Sequence, residues 1–268
     1  MEKFPEIVRE ILQQYDSWLI LAGAGMSADS GIPTYRGENG TWGRIAAEFN
    51  LPVTEIMTPA FIAQNPVAMW QRFSRGQSQL KNIFPHEGYA ILREWAFTKD
   101  YFIMTSNVYR QFVRAGFAED RLFEIHGAGG FLQCTTPCWP KVWAMDYAIY
   151  HETVLHSQNL PSCPNCGQLV RPNVLIFQDN TFVRTRIEGQ KANLDAFLAR
   201  QQKPFLVIEI GAGLAIKTLR RWTDRMVADY QAFTLRINPH DADIAPPGIS
   251  LPLPAKEAWQ KIGYFKKT

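Results

Sequence analysis

The chain alternates between short apolar runs and longer amphipathic stretches, and this pattern limits the fold more than any other feature. The runs have the length of strands and occupy residues 18–22, 101–105, 122–126, 174–177, 205–210 and 233–237. Apolar residues recur at helical spacing over residues 4–12, 87–98, 190–201, 214–230 and 255–262. Strands that are apolar on both faces are typical of parallel sheets covered by helices on each side. The sequence therefore predicts an α/β fold with a Rossmann-like, doubly wound parallel sheet.

Two segments interrupt the alternation. Residues 35–85 carry helical patterns without a good strand, and residues 129–172 hold all four cysteines. We interpret both as excursions from one sheet. The predicted organisation is one Rossmann-like domain built from residues 1–36, 85–128 and 172–268, with a helical insertion at 37–84 and a cysteine module at 129–171.

Composition and charge exclude several classes of protein. With 46% apolar and 20% charged residues, the 268-residue chain can bury a sizeable core. The net charge is only +3 and no run of five basic residues occurs, which argues against a nucleic-acid partner. The N-terminal residues lack the pattern of a signal peptide, and the longest apolar stretch, 18–26, is shorter than the ~20 residues that cross a bilayer. We expect a cytoplasmic protein without membrane partners, and the oligomeric state stays open.

The cysteines form two close pairs, Cys134 with Cys138 and Cys163 with Cys166. Pairs separated by two to four positions can reach one Zn²⁺ ion, which thiolates bind tetrahedrally. Four sulfur ligands leave no open position for water, so the predicted zinc is structural. The alternative is four buried free thiols.

A glycine-rich turn follows the first predicted strand. Gly23 and Gly25 stand directly after it, where a backbone without side chains can approach a pyrophosphate at a helix N-terminus. The third glycine of the common dinucleotide fingerprint is replaced by Ala28. The alternative interpretation is a tight strand-to-helix turn with no ligand.

The longer string from Gly23 to Gly37, GAGMSADSGIPTYRG, closely resembles the glycine motif of the sirtuin family. Further strings resemble that family in the same order: TSNVYRQF from Thr105, HG at His126, the cysteine module, RPNVLIFQD from Arg171, GAGL at Gly211, and IN at Ile237. The resemblance covers essentially the whole chain. It implies an NAD-dependent enzyme that removes acyl groups from lysine side chains of other proteins.

The resemblance also implies the cofactor-binding residues. Those expected at the NAD phosphates and adjacent ribose are Gly23, Ala24, Gly25, Asp29, Tyr35 and Arg36, with Ile32 at the nicotinamide. The loop after the second strand contributes Ser106, Asn107 and Tyr109. Those expected at the adenosine half are Gly211, Ala212, Gly213 and Asn238.

His126 and Asn107 are the predicted catalytic residues. His126 corresponds to the family's general base, which a reference pKa of about 6.5 suits near neutral pH. Asn107 corresponds to an asparagine that contacts the ribose. Alone, either residue would suggest a structural role, as we expect for His86, His151, His156 and His240. The resemblance further implies that Leu175 and Phe177 contact the acyl-lysine substrate, whose backbone pairs with this strand.

The chain departs from the family pattern at several positions. Tyr109 replaces an aspartate that helps to hold the nicotinamide carboxamide, and Phe112 replaces a histidine of the same region. Gln178 and Asp179 replace Gly-Glu, and the hydroxyls usual at 212 and 213 are absent.

Three functions stay open. The favoured one is NAD-dependent deacylation, which yields nicotinamide and O-acyl-ADP-ribose. The second is protein ADP-ribosyl transfer or NAD hydrolysis, in which another nucleophile or water replaces the acyl oxygen. The third is a catalytically impaired NAD-binding module, which the substitution at Tyr109 motivates.

Overall fold

A six-stranded parallel sheet lies at the centre of the computed structural model, which describes residues 4–34, 40–146 and 159–265. Its strands are β1 (Ser17–Ala22), β2 (Asp100–Thr105), β3 (Leu122–Glu124), β7 (Leu206–Ile210), β8 (Phe233–Ile237) and β9 (Gly248–Leu251). They lie side by side in the order β3-β2-β1-β7-β8-β9, and every neighbouring pair is parallel. This order confirms the predicted doubly wound sheet. Strands are added in one direction from β1 to β3 and in the other direction from β7 to β9, so the strand order reverses between β1 and β7.

The core lies on both faces of this sheet because successive strand residues point to opposite sides. Within β1, Trp18, Ile20 and Ala22 join one apolar cluster, whereas Leu19 and Leu21 join the other. The first face is covered by α1 (Phe4–Gln14), α7 (Glu87–Ala96) and α11 (Ala255–Ile262); the second by α9 (Thr185–Ala199) and α10 (Thr218–Tyr230). Within the described ranges, no helix has the length and apolar character needed to span a membrane.

Helices of different lengths occupy the predicted insertion. They are α3 (Thr41–Phe49), α4 (Val53–Ile56), α5 (Pro59–Gln64) and α6 (Pro66–Lys81), and α2 (Gly25–Ala28) precedes them in the glycine turn. Thr58 starts α5 by accepting a hydrogen bond from Phe61 N–H at 3.2 Å, with Pro59 at the first helical position. Ile45, Ile56, Ile62 and Met69 form a separate small core. The insertion therefore packs around its own apolar centre.

A second, antiparallel sheet carries the cysteine module. It consists of β4 (Gly127–Cys134), β5 (Trp143–Ala144) and β6 (Val170–Val174), in the order β5-β4-β6. Trp70 of α6 packs against it and donates its indole N–H to Val170 O at 2.9 Å. The small sheet and the helical insertion are thus in direct contact.

Most predicted elements lie within a few residues of their observed bounds, with three differences. The strand predicted at 174–177 was wrong in place and partner, because β6 ends at Val174 and belongs to the antiparallel sheet. Strands β4, β5 and β9 were not predicted, because β5 is only two residues long and the glycine-containing, mixed sequences of β4 and β9 lack a continuous apolar run. A four-residue helix, α8 (Gln111–Arg114), follows β2 where only a loop was expected.

Candidate functional site

A cavity of about 840 Å³ lies beyond the C-terminal ends of β1, β2, β7 and β8. We call it the switch-point cavity, because parallel sheets hold ligands where their strand order reverses. The predicted site residues that line it are Gly23, Ala24, Gly25, Asp29, Ser106, Asn107, His126, Leu175, Phe177, Gly211, Ala212, Gly213 and Asn238. Segments far apart in the sequence therefore meet around one space.

The floor of this cavity is a contact between two glycine loops. Gly23 N–H donates to Ile210 O at 2.8 Å, and Gly25 N–H donates to Gly211 O at 3.1 Å. A Cβ atom on Gly25 would lie 2.6 Å from Gly211 Cα, and one on Gly211 would lie 2.5 Å from Gly25 Cα. Gly211 also has a φ of 61°, which L-residues rarely adopt. The glycines are therefore required by the approach of the two backbones.

Asn107 is buried and fixed by both hydrogens of its side-chain amide. Its Nδ2 donates to Gly23 O at 2.8 Å and to Ser27 Oγ at 3.0 Å. Its backbone N–H donates to Thr105 Oγ1 at 3.1 Å. With both amide hydrogens used by the chain, the side-chain oxygen is the group left to bind a ligand, and it accepts hydrogen bonds only. An acceptor there suits a ligand hydroxyl.

His126 lies between the two sheets, after β3 and directly before β4. Its Nδ1 is 3.3 Å from Ser106 O, so a proton on Nδ1 leaves Nε2 as the acceptor. Burial lowers the pKa of His126 below 6.5, although the hydrogen bond with Ser106 O acts in the opposite direction. A neutral imidazole at neutral pH can accept a proton from a bound ligand.

Of the other residues predicted for the phosphate and nicotinamide region, one lines the cavity, one is buried outside its lining, and two lie outside the described residues. Asp29 lines the cavity, but its Oδ2 accepts the backbone N–H of Lys256 at 2.8 Å, which caps the first turn of α11. Ile32 is buried in the glycine turn and does not contribute to the described lining. Tyr35 and Arg36 lie outside the described residues.

Tyr109 lines a second cavity of about 960 Å³, enclosed by α6, α8 and the small sheet. Val108 borders both cavities and stands between them. Phe112 is buried in the core, with its ring 5.1 Å from that of Tyr89 and 5.3 Å from that of Phe117. The substitutions at 109 and 112 therefore place aromatic groups outside the switch-point cavity.

The segment after β6 forms the wall beside His126. Leu175 N–H donates to His126 O at 2.9 Å, and Phe177 N–H donates to Met57 O at 2.8 Å. The ring of Phe177 lies 5.3 Å from that of Trp42 in α3. The segment is thus fixed to both the small sheet and the helical insertion.

Asp179 has a structural role in this region. Its carboxylate accepts two hydrogen bonds of 2.7 Å from the buried Arg171 guanidinium. The pair joins β6 to the loop that follows Phe177.

The four cysteine sulfurs lie within 4.8 Å of one another. The Sγ atoms of Cys134 and Cys166 are 3.6 Å apart, as are those of Cys138 and Cys163. A tetrahedral zinc site with ~2.3 Å bonds places its sulfurs about 3.8 Å apart, so the cluster fits the ion.

Two thiols of the cluster differ in acidity. Burial raises the pKa of the Cys134 thiol to about 12. Burial also acts to raise the pKa of Cys163, but backbone N–H donors outweigh it and lower that pKa to about 7. At neutral pH the Cys134 thiol therefore stays protonated unless a bound cation stabilises its thiolate.

Sequence reasoning missed part of the cavity wall. Leu214 and Ile216 follow the Gly211–Gly213 loop and are both about half exposed. His240 and Asp241 follow Asn238, and His240 had been expected to be only structural. Their position directly after recognised motifs is the one signal that points to them.

The comparisons agree with this geometry. Residues 23–199 match the model of the Sir2 family. The chain is 28% identical to NAD-dependent protein deacylase 1 of Caldanaerobacter subterraneus, over 77% of this chain and 84% of that protein. It is 30% identical to the NAD-dependent protein deacylase of Aquifex aeolicus, over 70% of each chain.

Solved structures share the fold. One from a study of sirtuin substrate affinity superposes with a TM-score of 0.75 at 19% identity, covering 96% of this chain and 97% of that one. A Sir2 homologue in complex with NAD superposes with a TM-score of 0.71 at 22% identity, covering 96% and 91%.

Proposed function

The chain belongs to the Sir2 family, and from this premise we propose that it is an NAD-dependent protein deacylase. It removes acyl groups from lysine side chains and yields nicotinamide and O-acyl-ADP-ribose. The observation that carries the proposal is the meeting of His126, Asn107 and the glycine floor around one cavity at the switch point of the sheet.

Each part of the cavity has a separate role in this proposal. NAD, when bound, supplies the activated glycosidic bond to nicotinamide. The glycine loops allow its phosphates to approach the backbone, and the free oxygen of Asn107 accepts a ribose hydroxyl. His126 Nε2 accepts a ribose proton, because its Nδ1 is held at Ser106 O. The chain contributes mainly positioning and proton transfer.

We propose that acylated proteins bind along the segment that contains Leu175 and Phe177. Phe177 packs against Trp42, and Leu175 is hydrogen-bonded to the backbone of His126. This arrangement supports an apolar passage that leads the acyl-lysine to the base. Main-chain pairing of a bound peptide with this segment would accept many sequences, because it does not depend on side chains.

Structural zinc and a cytoplasmic location belong to the same proposal. The fit of the four sulfurs supports a closed site without a catalytic position. Cysteines used as metal ligands, rather than as disulfides, are typical of reducing compartments.

The decisive experiment incubates the protein with NAD and a panel of acyl-lysine peptides, and follows nicotinamide by chromatography and peptides by mass spectrometry. We expect a deacylated peptide together with acyl-ADP-ribose. The His126→Ala variant should lose about 10²-fold or more in rate, the usual contribution of a general base. Peptide-independent release of ADP-ribose would indicate NAD hydrolysis, and a protein heavier by ADP-ribose would indicate transfer. If NAD binds and no nicotinamide is released, the deacylase proposal is wrong.

A further inference from the structure

The adenosine-side wall of the switch-point cavity has no side-chain hydroxyl at Ala212 or Gly213, but a group of buried charges lies directly behind it. Glu209 is fully buried at the centre of the sheet in β7. Its Oε1 accepts Arg236 Nε–H at 2.6 Å, and its Oε2 accepts Thr223 Oγ–H at 2.6 Å. Arg220 Nε lies 3.3 Å from the same carboxylate. One carboxylate therefore faces two guanidinium groups.

Buried ion groups of this kind contribute little net stability, since desolvation offsets much of their attraction. Their remaining N–H donors indicate another role. Arg220 donates from Nε and Nη2 to Ala212 O at 3.0 and 2.7 Å, and from Nη2 to Asp241 O at 2.6 Å. Arg236 donates to Asp243 O. The two guanidiniums thus fix the loops after β7 and β8, both of which border the cavity.

Ala212 O receives a third hydrogen bond, from Asn238 Nδ2 at 3.0 Å. In a trans peptide, a carbonyl and the following N–H point in opposite directions. With Ala212 O turned toward Arg220, the Gly213 N–H points away from it, on the side of the cavity that Gly213 lines. Among the described residues, no acceptor contacts this N–H. A Cβ atom on Gly213 would have no neighbour within 4 Å, so the space in front of the glycine is open.

We propose that Arg220 is a positioning residue for the dinucleotide: held by Glu209, it locks the Ala212 carbonyl and presents the Gly213 N–H to an acceptor oxygen of the adenosine half of NAD. The inference rests on the proposed binding of NAD in this cavity and identifies how a wall without hydroxyls holds it.

The test measures the binding of ADP-ribose and NAD by titration calorimetry, together with KM for NAD and kcat, in the zinc-loaded full chain. The Arg220→Gln variant should raise Kd and KM about tenfold, the loss that accompanies one charge-assisted hydrogen bond, while kcat changes less than about twofold. Arg220→Lys retains a charged donor but lacks the planar guanidinium group, so its Kd and KM should lie between those of the wild-type protein and those of Arg220→Gln. Arg221→Gln removes the same charge from the exposed side of α10 and should leave Kd unchanged.

A direct readout is the Gly213 amide resonance in a selectively labelled wild-type protein. It should move on addition of ADP-ribose, and it keeps the proposal testable if Arg220→Gln does not fold. An unmoved resonance would overturn the proposal, as would equal weakening in Arg220→Gln and Arg221→Gln. A lower Tm with unchanged Kd in Arg220→Gln would likewise show a purely structural residue. Because ADP-ribose binding is measured without turnover, a protein that binds it but does not deacylate would refute the proposed function and leave this inference intact.

Discussion

The two sheets of this protein are held together by different forces. In the six-stranded sheet, β1 and β7 are buried on both faces by apolar side chains, and Glu209 is the one charged residue in these two strands. The three-stranded sheet packs against a smaller apolar cluster, which includes two of the predicted zinc ligands, Cys134 and Cys163. The large sheet is stabilised mainly by area removed from water, whereas the small sheet depends on directional bonds.

Buried polar contacts also support the small sheet. In the small sheet, Asn173 donates to Gln133 Oε1 at 2.8 Å, and Arg171 pairs with Asp179 in a dry environment. His126 joins the two sheets, since it follows β3 and precedes β4. A small structural module can therefore control the position of the proposed base, His126, without contributing to the glycine floor.

Removal of zinc should produce the largest difference between the sheets. Structural zinc sites provide roughly 10 kcal/mol or more of apparent folding free energy, so Cys163→Ser or a strong chelator should unfold β4 to β6. Hydrogen exchange followed by mass spectrometry should show lost protection in residues 127–134 and 170–174, with β1, β2 and β7 still protected. Equal loss of protection in both sheets would contradict the comparison.

The next largest effect should come from breaking the buried pair of the small sheet. Asp179→Ala leaves the Arg171 guanidinium buried without its counter-ion, which should lower the free energy of unfolding by about 3–5 kcal/mol. Asp195→Ala is the matched control, because it removes an exposed partner of Lys191 and should cost about 0.5 kcal/mol or less. Denaturant unfolding of both variants measures the difference, and similar losses would remove the special role of Asp179.

A smaller effect is expected from crowding the floor of the large sheet. Gly211→Ala places a Cβ atom 2.5 Å from the Gly25 backbone at a positive φ, which should cost about 3 kcal/mol and weaken NAD binding. Gly189→Ala in α9 has open space around it and should instead stabilise the helix by about 0.5–1 kcal/mol. Thermal unfolding and NAD titration compare the two; a Gly211→Ala variant that binds NAD normally would show that the close contact is dispensable.

The smallest effect concerns His126, which joins the two sheets, and the pH dependence of stability and kcat/KM that it causes. Burial depresses the folded-state pKa of His126, so the unfolded chain binds the proton more readily. The stability that this group contributes is present above the unfolded pKa near 6.5 and declines as the pH falls below it. With His126 as the base, the neutral imidazole is the active form, so kcat/KM should fall to half of its plateau value at a pH below 6.5. A pH–rate profile that falls already above pH 7 would contradict this assignment.

The large sheet was predictable from sequence because its signals are local. Buried strands are apolar runs, and Gly23, Gly25 and Gly211 each follow one directly. The small sheet was less predictable, since β4 contains glycines and a zinc ligand in place of alternating side chains. The location of Tyr109 could not be predicted from the sequence. The motif fixes its position in the chain, but the path of the loop after Asn107 decides which of the two cavities it lines.

The cysteine spacing predicted that the four thiols come together, and their sulfurs lie within 4.8 Å of one another. The two thiols of each pair are close in the sequence, so little tertiary information is needed to bring them together. The Arg171–Asp179 pair and the Glu209 group were invisible in the sequence. Both bring together residues from different elements, and no periodicity marks a buried charge.

The direct backbone contact between Gly25 and Gly211 also limits how the cavity can open for a ligand to enter or leave. No side chain separates the two loops, and the Gly23 and Gly25 N–H groups donate to Ile210 O and Gly211 O. The two loops can therefore shift only as a unit, and this side of the cavity is rigid. Leu214 and Ile216, which continue the Gly211–Gly213 loop, line the same cavity and are about half exposed. The proposed site of the adenosine half of NAD lies beside them, so binding of the adenine ring there would remove these apolar side chains from water.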